Sequence, residues 1–188
     1  MSQRHGDLPI PAMARWTDIT TKYWEMLEQA MRETGEFNLA RLKHTKLRQA
    51  HYAGRAVVLP ATDGYVPRSR IWAYAARLRT KDPLWQELAW FYVVADCAGN
   101  GILRSIVNQL VAEAPPEIKF WGISKKSAAM RVFGQHDLVA VTKYNMRDVE
   151  EWATRVGFRD RLPETALRMD PPDPKDGERW LFVQLHRL

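Results

Sequence analysis

The chain has 188 residues, of which 46% are hydrophobic and 11% aromatic, enough for one substantial core and too few for two ordinary domains. Its single cysteine, Cys97, excludes an internal disulfide framework, and the five histidines show neither HxxxH nor a Cys/His ligand spacing, so no metal is expected. The formal charge of +6 is placed unevenly, with 13 Lys/Arg against 7 Asp/Glu over residues 1–80 and 15 against 15 over residues 81–188, a field that favours an anionic ligand.

Between Phe37 and Thr80 the basic side chains Arg41, Lys43, Lys46, Arg48, Arg55, Arg68, Arg70, Arg77 and Arg79 face a single acid, Asp63. Phosphates, an acidic peptide or RNA would each answer that field, and a solvated basic face screened by salt is the plain alternative. No N-terminal apolar run has signal-peptide length, and no stretch approaches the roughly 20 apolar residues of a membrane-spanning helix. The expectation is a soluble, cytoplasmic chain with no membrane partner, folded as one domain over 1–188.

Residues 1–12 are polar and contain proline, as in a loose arm. Trp16, Ile19, Tyr23, Leu27, Ala30 and Met31 then recur at three- and four-residue spacing, which predicts a helix capped by Thr17 or Thr20 and stopped at Gly35. Leu39, Leu42, Leu47 and Ala50 predict one second helix ending near Gly54, with Arg41, Lys43, Lys46 and Arg48 toward its other side. Residues 56–59 and 71–78 read as strands of a meander, separated by the turn-formers Pro60, Asp63-Gly64 and Pro67. The nearly continuous apolar run over 88–94 suits a central strand covered on both faces.

After Gly99-Asn100-Gly101, the residues Ile102, Leu103, Ile106, Val107, Leu110 and Val111 form a helical stripe that Pro115-Pro116 ends. A strand over 118–123 follows, then a helix over 124–136 with Ala129, Val132 and Phe133 on one side, then a strand over 138–141. An insertion over 145–179 precedes a last strand at 180–185; it holds a helix with Val149, Trp152, Ala153 and Val156 and an exposed Pro/Asp loop at 170–174. The eight tryptophans fall mostly in apolar periodic segments, so core packing explains them better than base stacking.

A buried strand, a short Gly-x-Gly turn and a helix form a general anion site, because the unpaired N–H groups of the helix's first turn and its dipole favour negative charge. Two glycines without a third fail the dinucleotide fingerprint and no GxxxxGK[ST] occurs, so neither a Rossmann cofactor nor a nucleotide-hydrolysing P-loop is supported. A turn of purely structural role fits this motif taken alone. The order of elements after it says more. Val93 and Val94 end the strand, Ala98-Gly99-Asn100-Gly101-Ile102-Leu103 fill the loop, and Lys126, Ala129, Val132-Phe133 and Asp137-Leu138 follow at fixed intervals. From about Trp85 to Leu188 this arrangement resembles motif A followed by motif B of the GNAT superfamily of acyl-coenzyme A N-acyltransferases. The spacing is kept while identities change: Ala98 stands where Arg or Gln is usual, Leu103 for a small residue, Lys126 for Asn, Phe133 for Tyr and Asp137-Leu138 for Gly-Phe.

The resemblance implies an α+β fold, with a mixed, mostly antiparallel central sheet flanked by helices and a splayed central strand pair. It implies acetyl-CoA or free coenzyme A held by Val93, Val94, Gly99, Asn100, Gly101, Ile102, Leu103, Lys126, Ala129 and Phe133, with the diphosphate on backbone N–H groups whatever the side chains. The implied reaction is direct attack of a neutral amine on the thioester, with a backbone N–H near Val93 or Val94 polarising the carbonyl. Glu87 and Asp96 are the carboxylates suited to take the amine's proton, with Glu87 preferred. The family's Tyr protonates the departing thiolate, and Phe133 has no proton to give. Tyr92 and His136 are substitutes for that acid, although core packing and a helix end explain each of them as well. Cys97 has no identifiable His/Asp partner for an acyl-cysteine route.

Three functions result. The first is transfer of an acetyl group from acyl-CoA to an amine, with the acceptor, an acidic peptide or a tRNA-linked amine, bound by the N-terminal helices and the insertion; a homodimer is compatible with it. The second is a GNAT-fold binding or structural protein that has lost catalysis. The third is a basic nucleic-acid-binding protein whose affinity falls steeply with salt.

Overall fold

In a computed structural model of the protein, residues 20–35, 37–63, 66–95, 98–124, 126–141, 146–158 and 180–188 are described. The first helix, α1 (Thr21–Glu33), starts after Thr20 and gives way to Gly35 in the left-handed conformation. It buries Trp24, Leu27, Glu28 and Met31, so its inner face lies one residue round from the predicted stripe at Trp24; Trp16, Thr17 and Ile19 lie outside the described residues. The expected single second helix is two: α2 (Phe37–Ala40), barely one turn, and α3 (His44–Tyr52). The break has a long-range cause. Lys43, at the N-cap of α3, offers no side-chain acceptor, and the carboxylate of Glu28 takes the N–H of His44 at 2.8 Å instead. Leu39, Leu42, Leu47 and Ala50 still face one core.

Strands β1 (Ala56–Asp63) and β2 (Val66–Arg79) form one long antiparallel hairpin, longer than the predicted segments. Pro60 and Pro67 therefore lie within strands instead of separating them, opposite Ile71 and Thr62. Pro60 is tolerated because β1 is an edge strand and no further strand needs its N–H, with register shifts on both sides marking the local cost, and Pro67 lies outside the stretch of β2 that pairs with β3, Ala73 to Arg79. Strand β3 (Trp85–Val93) leads into α4 (Ile102–Ala112), then β4 (Lys119–Ser124), α5 (Ser127–Gly134), β5 (Val139–Ala140), α6 (Met146–Val156) and β6 (Trp180–Val183), with a closing 3-10 turn at Leu185–Arg187. The Pro/Asp loop at 170–174 lies outside the described residues.

The six strands run in the order β1-β2-β3-β4-β6-β5, antiparallel except for the central pair β3 and β4. A parallel pair needs a crossover, and α4 supplies it. Strand alternation divides the core. Val57, Ala73, Ala75, Leu88, Phe120 and Phe182 point to one face, where Ile106, Val107 and Leu110 of α4 and Val132 and Phe133 of α5 cover them. On the other face α1–α3 pack on Val58, Tyr74 and Ala76, while α6 packs on Trp85, Trp121, Leu181 and Val183.

Tryptophan serves this packing: Trp24, Trp85, Trp121, Trp152 and Trp180 are fully buried, and Trp152 stands edge-on to Trp85 and Trp121 at 5.4 and 5.5 Å. The buried amide of Gln184 ties the far half together, accepting from the N–H of Phe120 at 2.8 Å and donating to the carbonyl of His136 at 2.9 Å. Among the described residues no helix is long and apolar enough to cross a membrane.

Candidate functional site

The central pair does not stay paired. Strands β3 and β4 are in register from Trp85↔Lys119 to Leu88↔Gly122, and there the ladder ends although β3 runs on to Val93. Trp90 adopts a φ of 58°, and on the β2 side Tyr74 faces Tyr92 while Ala76 faces Ala89, so Trp90 and Phe91 together oppose Ala75. This is a β-bulge, which bends its strand and swings it away from a neighbour. The gap also corrects the expectation of a strand covered on both faces: Trp85, Glu87 and Leu88 are buried, whereas residues 89–93 are only half-buried, apolar as they are.

At the floor of the gap, Gly122 fills the last paired position. A Cβ placed there would lie 2.6 Å from Cζ of Phe133 and 3.0 Å from the carbonyl oxygen of Leu88. Phe133 is fully buried between Phe91 and Phe182, with ring centroids at 5.7 and 5.3 Å, so it cannot retreat. Gly122→Ala is therefore expected to cost about 1–3 kcal/mol of stability, read as a lower urea midpoint at unchanged slope.

Along the open edge of β3 the backbone is selective. The N–H of Val94 donates to the carbonyl of Trp72 at 2.8 Å, toward β2, and alternation then turns the N–H of Val93 to the gap. Gly99 and Gly101 hold φ of 88° and 73°, and Gly101 is the N-cap of α4. The first helical bond is from Ser105 N–H to the carbonyl of Gly101 at 3.0 Å, which leaves the N–H groups of Ile102, Leu103 and Arg104 ahead of the ladder. Arg104 folds back over this turn, its Nη2 3.5 Å from where a Gly101 Cβ would stand. The structure thus assembles unpaired donors, positive φ and a guanidinium at the mouth of the gap, a set that suits an anion.

Several predicted site residues converge here. Ile102, Leu103, Phe91, Val93 and Met130 are partly buried around Val132 and Phe133 in one apolar cluster. Lys126 is the exposed N-cap of α5, and Ala129 is buried one turn on. Glu87 is 7% exposed and shares the sheet face of Trp85, on the side where Trp90 and Tyr92 meet α1–α3. Asp96 and Cys97 lie outside the described residues. His136 is placed elsewhere: its Nε2 is 2.9 Å from Oδ1 of Asn108, well into α4, and burial holds its imidazole below the usual range against the opposing charge of Asp137. Among the described residues no cluster of His, Cys, Asp and Glu could hold a metal ion.

Sequence reasoning missed three parts of this site. Arg104 follows the glycine turn directly and could have been noticed; Gly122, alone inside a strand, was a weaker sign of close approach. The bulge at Trp90 had no residue-level signal, because tryptophan does not favour positive φ.

No family model matches the chain, and no curated protein matches it. Solved structures do. Rv2747 from Mycobacterium tuberculosis, in complex with CoA and NLQ, is 15% identical, with a TM-score of 0.56 over 87% of this chain and 94% of that one. N-acetylglutamate synthase from Neisseria gonorrhoeae, complexed with coenzyme A and N-acetyl-glutamate, is 15% identical with a TM-score of 0.51, over 86% of this chain but 31% of that one. With a central parallel pair that parts after Leu88 and a glycine turn opening the next helix, the chain has the GNAT fold.

Proposed function

We propose that the protein is an acyl-CoA-dependent N-acyltransferase, with acetyl-CoA as donor and an amine as acceptor. The observation that carries this is the parting of β3 from β4 beside the N-terminus of α4. A thioester arm has a slot between the strands, and a diphosphate has free N–H groups at its mouth. Both structural neighbours were determined with coenzyme A, which supports the same ligand here.

The turn residues Gly99, Asn100 and Gly101 present no side chain to crowd the diphosphate except Asn100, and the N–H groups of Ile102, Leu103 and Arg104 would hold it, with the Arg104 guanidinium answering its charge. Lys126 and Ala129 would flank the arm on the α5 side. When bound, acyl-CoA supplies an acyl group activated as a thioester. The N–H of Val93 would donate to the acyl oxygen as negative charge grows on it. Glu87 or Asp96 would take the proton from the attacking amine, directly or through water, as the C–N bond forms and the C–S bond breaks. Phe133 gives the departing sulfur no proton, so it leaves as thiolate, which a thiol pKa near 8.5 makes tolerable close to neutral pH.

That buried ring favours a second reading as well, a GNAT-fold protein that binds coenzyme A without turnover. Thermal unfolding with acetyl-CoA, coenzyme A and ATP in parallel separates both readings from a basic binding module. The expected result is a shift of several degrees with both coenzyme A forms at about 100-fold over Kd, since that ratio is worth about 2.7 kcal/mol, and none with ATP. Thiol release from acetyl-CoA across an amine panel then distinguishes an enzyme from a binder. No shift with either coenzyme at millimolar concentration overturns both.

A further inference from the structure

Going beyond the acyl-transfer reading and not resting on it, we propose that the solvent face of α3 binds single-stranded nucleic acid. Helix α3 buries Leu47 and Ala50 and turns the other way the exposed Thr45, Lys46, Arg48, Gln49 and Tyr52. No acid occurs in the sequence from residue 37 to residue 62, so the helix itself supplies no negative charge to that face. Among the described residues, Glu25, Glu28 and Glu33 of α1 line one hollow with Lys43 and His44 at the start of the helix. There Glu28 engages Lys43 and His44 at the other side of the helix start, at 3.3 and 2.9 Å.

The aromatic component selects among anions. Tyr52 is 50% exposed, and Cζ of Arg48 lies 5.3 Å from its ring centroid. Behind it the ring of His51 stands 5.6 Å away, itself 5.5 Å from Trp24, which is fully buried. The exposed ring is thus the outer member of a chain of tilted ring contacts that reaches the core, with cations beside it. An acidic peptide would use the cations and leave the ring idle, and a duplex keeps its bases stacked inside. An unpaired base has a free face for Tyr52 while its phosphates reach Arg48 and Lys46, the combination by which proteins hold single strands.

Fluorescence anisotropy with a labelled oligoadenylate RNA tests this, with an RNA duplex and polyglutamate of equal length as competitors and no coenzyme present. The single strand is expected to bind tightest. Its Kd should rise roughly ten- to twentyfold between about 50 and 200 mM salt, the slope of about three phosphate contacts. Tyr52→Ala should weaken it about tenfold while Tyr52→Phe retains it, because the ring face and not the hydroxyl carries the contact. Arg48→Glu should weaken it at least as much. Arg147→Glu, the same charge change on the exposed start of α6, should leave it within about twofold, and circular dichroism of each variant checks the fold. Equal binding of duplex or polyglutamate, an unchanged Kd for Tyr52→Ala in a folded protein, or equal loss in Arg147→Glu overturns the proposal.

Discussion

Gly101→Val is expected to abolish binding of coenzyme A, while Gly101→Asn keeps it within about tenfold. Gly101 sits at φ 73° and ψ 1°. A β-branched residue resists that conformation at a cost of about 1–2 kcal/mol or more, and the turn escapes the strain by rotating to negative φ. Rotation re-aims the N–H groups of Ile102, Leu103 and Arg104, which the turn now holds ahead of the first helical bond at Ser105. Hydrogen bonds to a charged partner are worth about 1.5–3 kcal/mol each, so losing two or three costs on the order of a thousandfold in Kd. Asparagine enters the left-handed region far more readily and leaves the donors in place, and its Cβ would meet Arg104 Nη2 only at an ordinary 3.5 Å. Calorimetric titration with coenzyme A, with circular dichroism confirming that each variant is folded, reads the difference. Equal affinity in Gly101→Val would place the cofactor away from this turn.

The same turn marks where sequence was a good guide. From Gly99 onward each element has a local cause: a 3.6-residue stripe in Ile106, Val107 and Leu110, a proline pair that stops α4, a second stripe in Val149, Trp152, Ala153 and Val156. Local causes can be read without a partner in view. The failures are places where a distant group decides. The predicted helix over residues 39–50 is split because a carboxylate from α1 caps His44, and Pro60 stays inside β1 because that strand is an edge, a fact of topology. The burial of Glu87 had no local signal either: Trp85, Trp90 and Tyr92 share its face beneath α6 and α1–α3. The bulge that opens the site lies in the backbone of Trp90, whose side chain gives no hint of it.

Glu28 is the strongest case of a role hidden from sequence, and removing it should be the most costly change outside the apolar core. On α1 it reads as one more solvated acid, but it is 9% exposed and accepts from the His44 N–H at 2.8 Å, from Arg32 at 2.7 Å and from Lys43 at 3.3 Å. These contacts hold its carboxyl down at about 2 from an ordinary 4.5, chiefly through the His44 N–H and then the His44 ring, with burial opposing and Lys43 adding. At about 1.4 kcal/mol per unit the depression corresponds to at most about 3.5 kcal/mol, which solvent screening at the exposed partners Arg32 and Lys43 trims to about 2–3 kcal/mol of folding stability. A depressed carboxylate contributes fully above its unfolded value and loses the contribution as pH falls toward the folded one, so the window lies between about 4.5 and 2. Glu28→Ala should therefore unfold about 2–3 kcal/mol more easily than the native chain in urea at pH 7. The gap between the two should narrow steadily as acid protonates the native carboxyl, even though other carboxylates lower both curves. A gap that stays constant from neutral pH to about pH 3 would mean that Glu28 acts by packing alone. Since Glu28 joins α1 to the start of α3, its loss should also loosen the ring contacts beneath Tyr52, and the stability of the fold and the affinity of the basic face would then fall together in this one variant.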